Sequence, residues 1–147
     1  MTNPDGSARV HPKPAVLFVC VKNGGKSQMA AGLMKLEAGD GISVSSAGTK
    51  PGNAINALSG EVLADLGVDI SAEQPTLLTE DDMRAAGLVV VLGAEAKVPA
   101  VEGVEVEIWE TDEPSLRGIE GRERMELVRD DIHARVKDLK ERLLSPS

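Results

Sequence analysis

Short apolar runs alternate along this chain with segments whose apolar residues recur every three or four positions. "AVLFVC", residues 15–20, is a continuous Val-rich run, the pattern of a strand covered on both faces. "SQMAAGLMKLEAG" then sets Met29, Leu33 and Leu36 at helical spacing, with Gly39 placed to end the helix. "ISVSSAG" predicts a second strand ending in small residues. "NALSGEVLADLG" puts Leu58, Val62, Leu63 and Leu66 on one helical face, closed by Gly67. "TEDDMRAAG" predicts a short helix with Thr79 as its N-cap and carboxylates set favourably against the helix dipole. "LVVVLG" reads as a third buried strand, and "VEVEIW" alternates in the manner of an edge strand. From near Gly121, Val128, Ile132, Val136, Leu139 and Leu143 step along one face of a last long helix, while Arg and Glu fill the other.

Strands alternating with helices imply an α/β fold, a four-stranded parallel sheet flanked by helices and joined by right-handed crossovers. There is no repeat and no internal linker, so residues 14–144 read as a single domain. Residues 1–13 are polar, contain two Pro, and read as a flexible leader.

Composition narrows the function. The apolar residues are aliphatic, with one Phe, one Trp and no Tyr among 147 residues. Sixteen basic and twenty-four acidic side chains give a formal charge of −8, which disfavours general attraction to nucleic acid or anionic lipid. An anionic substrate must therefore be captured by a local positive site. No apolar run reaches the roughly 20 residues needed to span a bilayer, and the opening lacks the hydrophobic segment of a secretory signal. The lone cysteine, Cys20, excludes an intrachain disulfide and a multi-cysteine zinc site, in keeping with a reducing, cytoplasmic setting. His11 and His133 have no companion at metal-binding spacing, so no metal is expected.

The chemistry concentrates in "CVKNGGKS", residues 20–27, which follows the first strand, where α/β folds bind ligands. Its end looks like a nucleotide-binding loop, which requires G-x-x-x-x-G-K-[ST]. Cys20 falls on the first Gly of that pattern, and "LVVVLG" continues into "AEAK" with no magnesium-holding Asp. A thiolate loop fits better. The backbone amides of Val21, Lys22, Asn23, Gly24, Gly25, Lys26 and Ser27 can turn inward as an oxyanion cradle, helped by the helix N-terminus. Gly24 and Gly25 let the chain turn closely around the anion. Those donors, with Lys22, Lys26 and the Ser27 hydroxyl, would favour the thiolate of Cys20 as a nucleophile. Asn23 either braces the loop or is an ordinary turn residue. Ser27 donates to sulfur, caps the helix, or does both. Ser46 either bonds the loop from the neighbouring strand or simply ends that strand. Lys50, Lys97 and Arg117 read as solvated loop cations, and Arg129 with Asp130 or Asp131 as pairing on the helix surface.

"VLFVCVKNGGKSQMA" followed by "SSAGT", then "WETDEP" and "RMELVRDDIHARV", resembles the low-molecular-weight tyrosine phosphatase fold and the arsenate reductases built on it, over roughly residues 14–143. The "SQMA" continuation leans toward the reductase branch. The family loop is C-x5-R, and here Lys26 stands in place of Arg, a point charge instead of a planar fork. The family's Asp-Pro acid becomes Glu113 before Pro114, with Asp112 just ahead, and either can be the proton donor. Thioredoxin-coupled reductases of this fold carry two more cysteines near the end of the third strand, where this chain has Gly93 and Val98. The resemblance therefore implies a single-cysteine arsenate reductase. Its Cys20 would attack arsenate, with mycothiol as the external thiol and mycoredoxin as the partner that reduces the arseno-thiol adduct. It implies no bound cofactor, and Ala31 occupies the place of the family's potassium-binding Glu. Two other functions stay open, a weak phosphatase for phosphotyrosine or small esters and a non-catalytic oxyanion-binding module. The absence of Tyr tilts the choice toward a small inorganic oxyanion.

Overall fold

The computed structural model describes residues 13–145. Residues 1–12 of the expected leader and His11 lie outside the described residues. Four strands, β1 (Ala15–Cys20), β2 (Ser43–Gly48), β3 (Leu88–Leu92) and β4 (Glu105–Trp109), form one parallel sheet in the order β2-β1-β3-β4. Four α-helices connect or flank them: α1 (Lys26–Ala38), α2 (Ala57–Ala64), α3 (Glu80–Ala86) and α4 (Gly121–Leu144).

Strand alternation divides the core in two. Val16, Phe18 and Cys20 of β1 face one side and join Met29, Leu33 and Met34 of α1, Val62 and Leu63 of α2, and the α4 stripe. Leu17 and Val19 face the other, against Met83 of α3, Val89 and Val91. Met125, Val128, Ile132, Val136 and Leu139 hold α4 down. Each large side chain so buried is worth roughly 1.5–3 kcal/mol, whereas exposed ion pairs give about 0–1 kcal/mol. Burial, not its many charges, fixes α4.

The helix caps follow the expected chemistry at α3, where Thr79 Oγ1 accepts from the Asp82 amide at 3.0 Å and Gly87 closes the helix at φ 76°. Four details differ from the sequence reading. The first helix begins at Lys26, one residue earlier than "SQMA" suggests. Leu36 is 47% exposed, and the buried stripe runs instead through Met29, Ala30, Leu33 and Met34. In β4 the apolar residues Val106 and Ile108 face outward, while Glu107 turns to the α4 side and accepts from Arg142 Nη2 at 2.7 Å and Trp109 Nε1 at 2.8 Å. Those two donors make the inward carboxylate tolerable and keep its pKa low, with the Arg142 hydrogen bond the larger cause. Arg129 pairs with Asp130 as expected, Nε to Oδ1 at 2.9 Å, but it is only 13% exposed and also reaches from α4 to the Val62 carbonyl of α2 at 2.9 Å.

Candidate active site

β1 ends at Cys20, and the chain turns through residues 21–25 before α1 begins. The turn is held from outside by its carbonyls. Those of Cys20, Val21, Lys22 and Gly24 accept from the amides of Thr49, Lys50, Gly52 and Asn56 at 3.1, 2.8, 2.9 and 2.6 Å. That of Asn23 accepts from the Gln28 side chain at 3.1 Å. In a planar trans peptide the N–H points opposite to the C=O. Five outward carbonyls therefore turn the amides of Val21, Lys22, Asn23, Gly24 and Gly25 inward. The Asn23 amide shows the result directly, since it donates to Cys20 Sγ at 3.2 Å. This is the geometry of a nest, suited to an anion and extended by an α1 N-terminus with no acidic residue in its first turn.

Two glycines are demanded by close approach. A Cβ on Gly24 would sit 2.8 Å from the Ala54 carbonyl oxygen, and one on Gly48 would sit 2.6 Å from that of Val21. Asn23 carries the turn's positive φ, 54°, and is fully buried. Asn is among the few side chains that tolerate this region, and here its amide is used on both sides. The Thr76 amide donates to Asn23 Oδ1 at 3.0 Å, and Asn23 Nδ2 donates to Ser27 Oγ at 2.8 Å. Because a backbone N–H can only donate, the orientation of the Asn23 amide is fixed, and Ser27 Oγ is an acceptor toward it. The Ser27 hydrogen is then free for Cys20 Sγ, 2.9 Å away. A buried relay thus runs from Thr76 through Asn23 and Ser27 to sulfur, a directed supply of donors that suits an anionic sulfur. Cys20 itself is 8% exposed, closed in yet reachable.

Ser27 does not cap α1, whose N-cap is Gly25. Of Ser46 it is the main-chain carbonyl that takes part, accepting from Thr76 Oγ1 at 3.0 Å, so Ser46 supports the loop through Thr76. Thr76 has no motif around it and was not expected.

At the mouth, Lys26 Nζ lies 3.8 Å from Glu113 Oε1, which brings together two of the predicted residues. A third group joins them from α4. Arg124 grips Glu113 with Nε to Oε2 at 2.9 Å and Nη2 to Oε1 at 3.1 Å, and Ser115 Oγ donates to Glu113 Oε2 at 2.5 Å. The Arg124 hydrogen bonds, then Ser115, then the charges of Arg124 and Lys26 pull the Glu113 pKa down to about 2, against the opposing effect of burial. In this arrangement Glu113 is a carboxylate without a proton to give. Asp112 is turned to Arg117, which donates to it at 2.8 and 3.1 Å and lowers its pKa. Arg117 is therefore paired, not simply solvated. Lys97 Nζ donates to the Ala94 carbonyl at 3.3 Å. A cavity of about 490 Å³ beside the loop is lined by Lys22, Gly24, Lys26, Asn56, Arg124 and Met125, among others.

Among the described residues, no group of three or more His, Cys, Asp and Glu could hold a metal ion, and no helix is long and apolar enough to cross a membrane. His133 bonds Glu37 of α1 across 2.7 Å.

Comparison with known proteins bears on this geometry. Residues 15–145 match the family described as low molecular weight phosphotyrosine protein phosphatase. A protein of Halobacterium salinarum is 30% identical over 127 residues, covering 83% of this chain and 87% of its own length. Arsenate reductase 1 of Staphylococcus epidermidis is 32% identical over 134 residues, covering 89% and 98%. Among solved structures, a thioredoxin-dependent arsenate reductase of Corynebacterium glutamicum superposes with a TM-score of 0.74 at 32% identity. The match covers 90% of this chain and spans 62% of that longer one.

Proposed function

This chain belongs to the low molecular weight phosphotyrosine protein phosphatase family, and from that premise we propose that it is an arsenate reductase that works with an external thiol. The observation that carries the reading is a single cysteine seated in an inward-facing amide nest, in a chain whose sequence holds no other cysteine. Relatives named arsenate reductases support the substrate. An intrachain disulfide relay is chemically impossible with one thiol, so the second and third sulfurs come from outside.

Arsenate enters the nest, where the amides of residues 21–25 and the Lys26 ammonium hold its oxygens. The Cys20 thiolate forms a bond to arsenic, and an arsenate oxygen leaves as water after protonation by Glu113 or Asp112, either of which must first take up a proton from solvent because its arginine partner lowers its pKa. Mycothiol then attacks the arsenic and displaces Cys20, which returns as a thiolate. A mycoredoxin thiol next attacks the mycothiol sulfur. The electron pair of the sulfur–arsenic bond stays with arsenic, which leaves as arsenite, while two sulfurs are oxidised to a mixed disulfide. Cys20 ends unchanged, and no resident cofactor is called for.

The reading is tested by arsenite production with mycothiol, mycoredoxin and its reductase, beside aryl phosphate hydrolysis, for wild type and Cys20→Ser. Mycothiol-dependent reduction that falls by at least ~10⁴-fold in Cys20→Ser is expected for a lost nucleophile. Hydrolysis without reduction would instead make the chain a phosphatase, and silence in both assays a binding module. The lack of any Tyr to grip a phosphotyrosine ring favours the small inorganic anion over the phosphatase reading.

A further inference from the structure

The loop's Lys26 leaves the cradle without the planar fork that suits two oxygens of a tetrahedral anion. The fold brings a fork to the same place from another element. Arg124 of α4 lines the same cavity as Lys22, Gly24 and Lys26. One oxygen of Glu113 is shared, 3.1 Å from Arg124 Nη2 and 3.8 Å from Lys26 Nζ. Guanidinium and ammonium are therefore near enough for one bound anion to meet both. Arg124 is 31% exposed, and two of its five donors are spent on Glu113 and one on Met125 Sδ at 3.7 Å. The remaining donors have no partner among the described residues.

The charges facing this spot are Lys22 from the loop, Lys26 from α1, Glu113 beside the short Pro114–Arg117 turn, and Arg124 with Glu120 from the start of α4. Glu113 occupies the two cations. An arriving oxyanion is more highly charged than one carboxylate and competes for both.

We propose that Arg124 is a second oxyanion-binding residue, one that exchanges Glu113 for the substrate anion and by doing so releases Glu113 to take up a proton. Once the cations turn to the anion, the carboxylate loses the partners that keep it ionised and gains a negative neighbour, and both changes favour its acid form. Substrate entry thereby readies the proton donor. The inference rests on the oxyanion reading of the cradle but needs no arsenate reduction, so the two can fail separately.

The test is protection of Cys20 from iodoacetamide by sulfate, measured as an apparent Kd for wild type, Arg124→Gln, Arg124→Lys, Glu113→Gln and the double variant Arg124→Gln/Glu113→Gln. Arg124→Gln should weaken sulfate at least about tenfold, as expected for a lost charge-assisted hydrogen bond, and Arg124→Lys by less. Glu113→Gln, which removes the competing carboxylate, should tighten it. In the Glu113→Gln background, Arg124→Gln should still weaken sulfate. If it has no effect there, Arg124 acts only by bracing Glu113 and the proposal is overturned. Equal loss in Glu113→Gln and Arg124→Gln overturns it as well. Sulfate-induced shifts in melting temperature give the same cycle independently of thiol chemistry. A wild type that sulfate neither protects nor stabilises overturns this inference together with the cradle.

Discussion

Two regions meet at Cys20, and they are built on different physics. The nest is made of neutral hydrogen bonds with its side chains Asn23 and Ser27 fully buried, every loop carbonyl tied from outside and every buried donor aimed. The mouth is made of charges, Lys26, Glu113 and Arg124, each about 30% exposed and each able to change partner. A buried, satisfied network is costly to disturb because any lost partner leaves a polar group stranded. Exposed ion pairs are cheap to rearrange because water and salt replace the lost partner. On the proposed function, the first region preorganises an anion site, and the second would let the anion in and follow its charge.

The sharpest way to break this contrast is to distort the nest without touching its chemistry. Gly48→Ala places a methyl 2.6 Å from the Val21 carbonyl oxygen and 3.0 Å from Asn23 Cβ. That carbonyl fixes the inward turn of the next amide, so the loop must move. Misplacement on the ångström scale can cost about a hundredfold in rate, and crowding a packed site costs about 1–3 kcal/mol. Turnover at saturating arsenate and urea unfolding would both report it. Unchanged values would mean that the nest is more pliant than its hydrogen bonding implies.

Asn23→Ala comes next. It removes the bonds to Thr76 and Ser27 and leaves a non-glycine residue at φ 54° with no compensating amide. The expected loss is about 2–3 kcal/mol by denaturant titration, of which about 1 kcal/mol is backbone strain. Asn23→Gly should recover the backbone share only, and a full recovery would show that the relay to sulfur carries no stability.

The same contrast explains what the sequence disclosed. Cys20 to Ser27 is contiguous, so its residue types and spacing spell out the turn, the helix start and the thiol together. The sheet was readable for a similar reason, since "AVLFVC" and "LVVVLG" are too apolar to lie anywhere but inside. The mouth is assembled from residues 26, 113 and 124, and nothing in "RERMEL" marks Arg124 apart from the other cations of the helix. Thr76 holds Asn23 through its backbone amide, which has no sequence signature at all. Outward Val106 and Ile108 defeated the alternation rule because Arg142 and Trp109 satisfy the inward Glu107. Period tells how a strand alternates, but partners decide which face is buried.

A milder perturbation acts on the mouth alone. The pKa of Glu113 in the folded chain is held at about 2, well below its ordinary value of 4.5. A carboxyl depressed by folding stabilises above its unfolded pKa and loses that contribution as pH falls toward the folded value. Wild type should therefore exceed Glu113→Gln in stability by about 1 kcal/mol at neutral pH, allowing for solvent screening at a partly exposed pair. The gap should hold above pH 5 and close between about pH 4.5 and 2. Unfolding of both proteins across that range is the check, and a gap that stays constant would mean that Glu113 is not ionised by its neighbours.

The smallest effect belongs to a charge cluster of similar make but different position. Arg122 links α4 to α2, pairing with Glu61 at 3.3 Å and with Asp65, and it also meets Glu126 at 3.1 Å. It is 40% exposed, and the two helices are already joined through buried Val62, Leu63 and Val128. Arg122→Ala should lower stability only slightly, less in high salt, with no change in sulfate protection of Cys20. The comparison with Arg124→Gln then isolates location from charge. Both variants remove from α4 a guanidinium paired with carboxylates, but only one removes it from the mouth of the nest. If Arg122→Ala weakened sulfate as much as Arg124→Gln, the anion would be responding to the protein's overall field, and the local role of Lys26, Glu113 and Arg124 would fall with it.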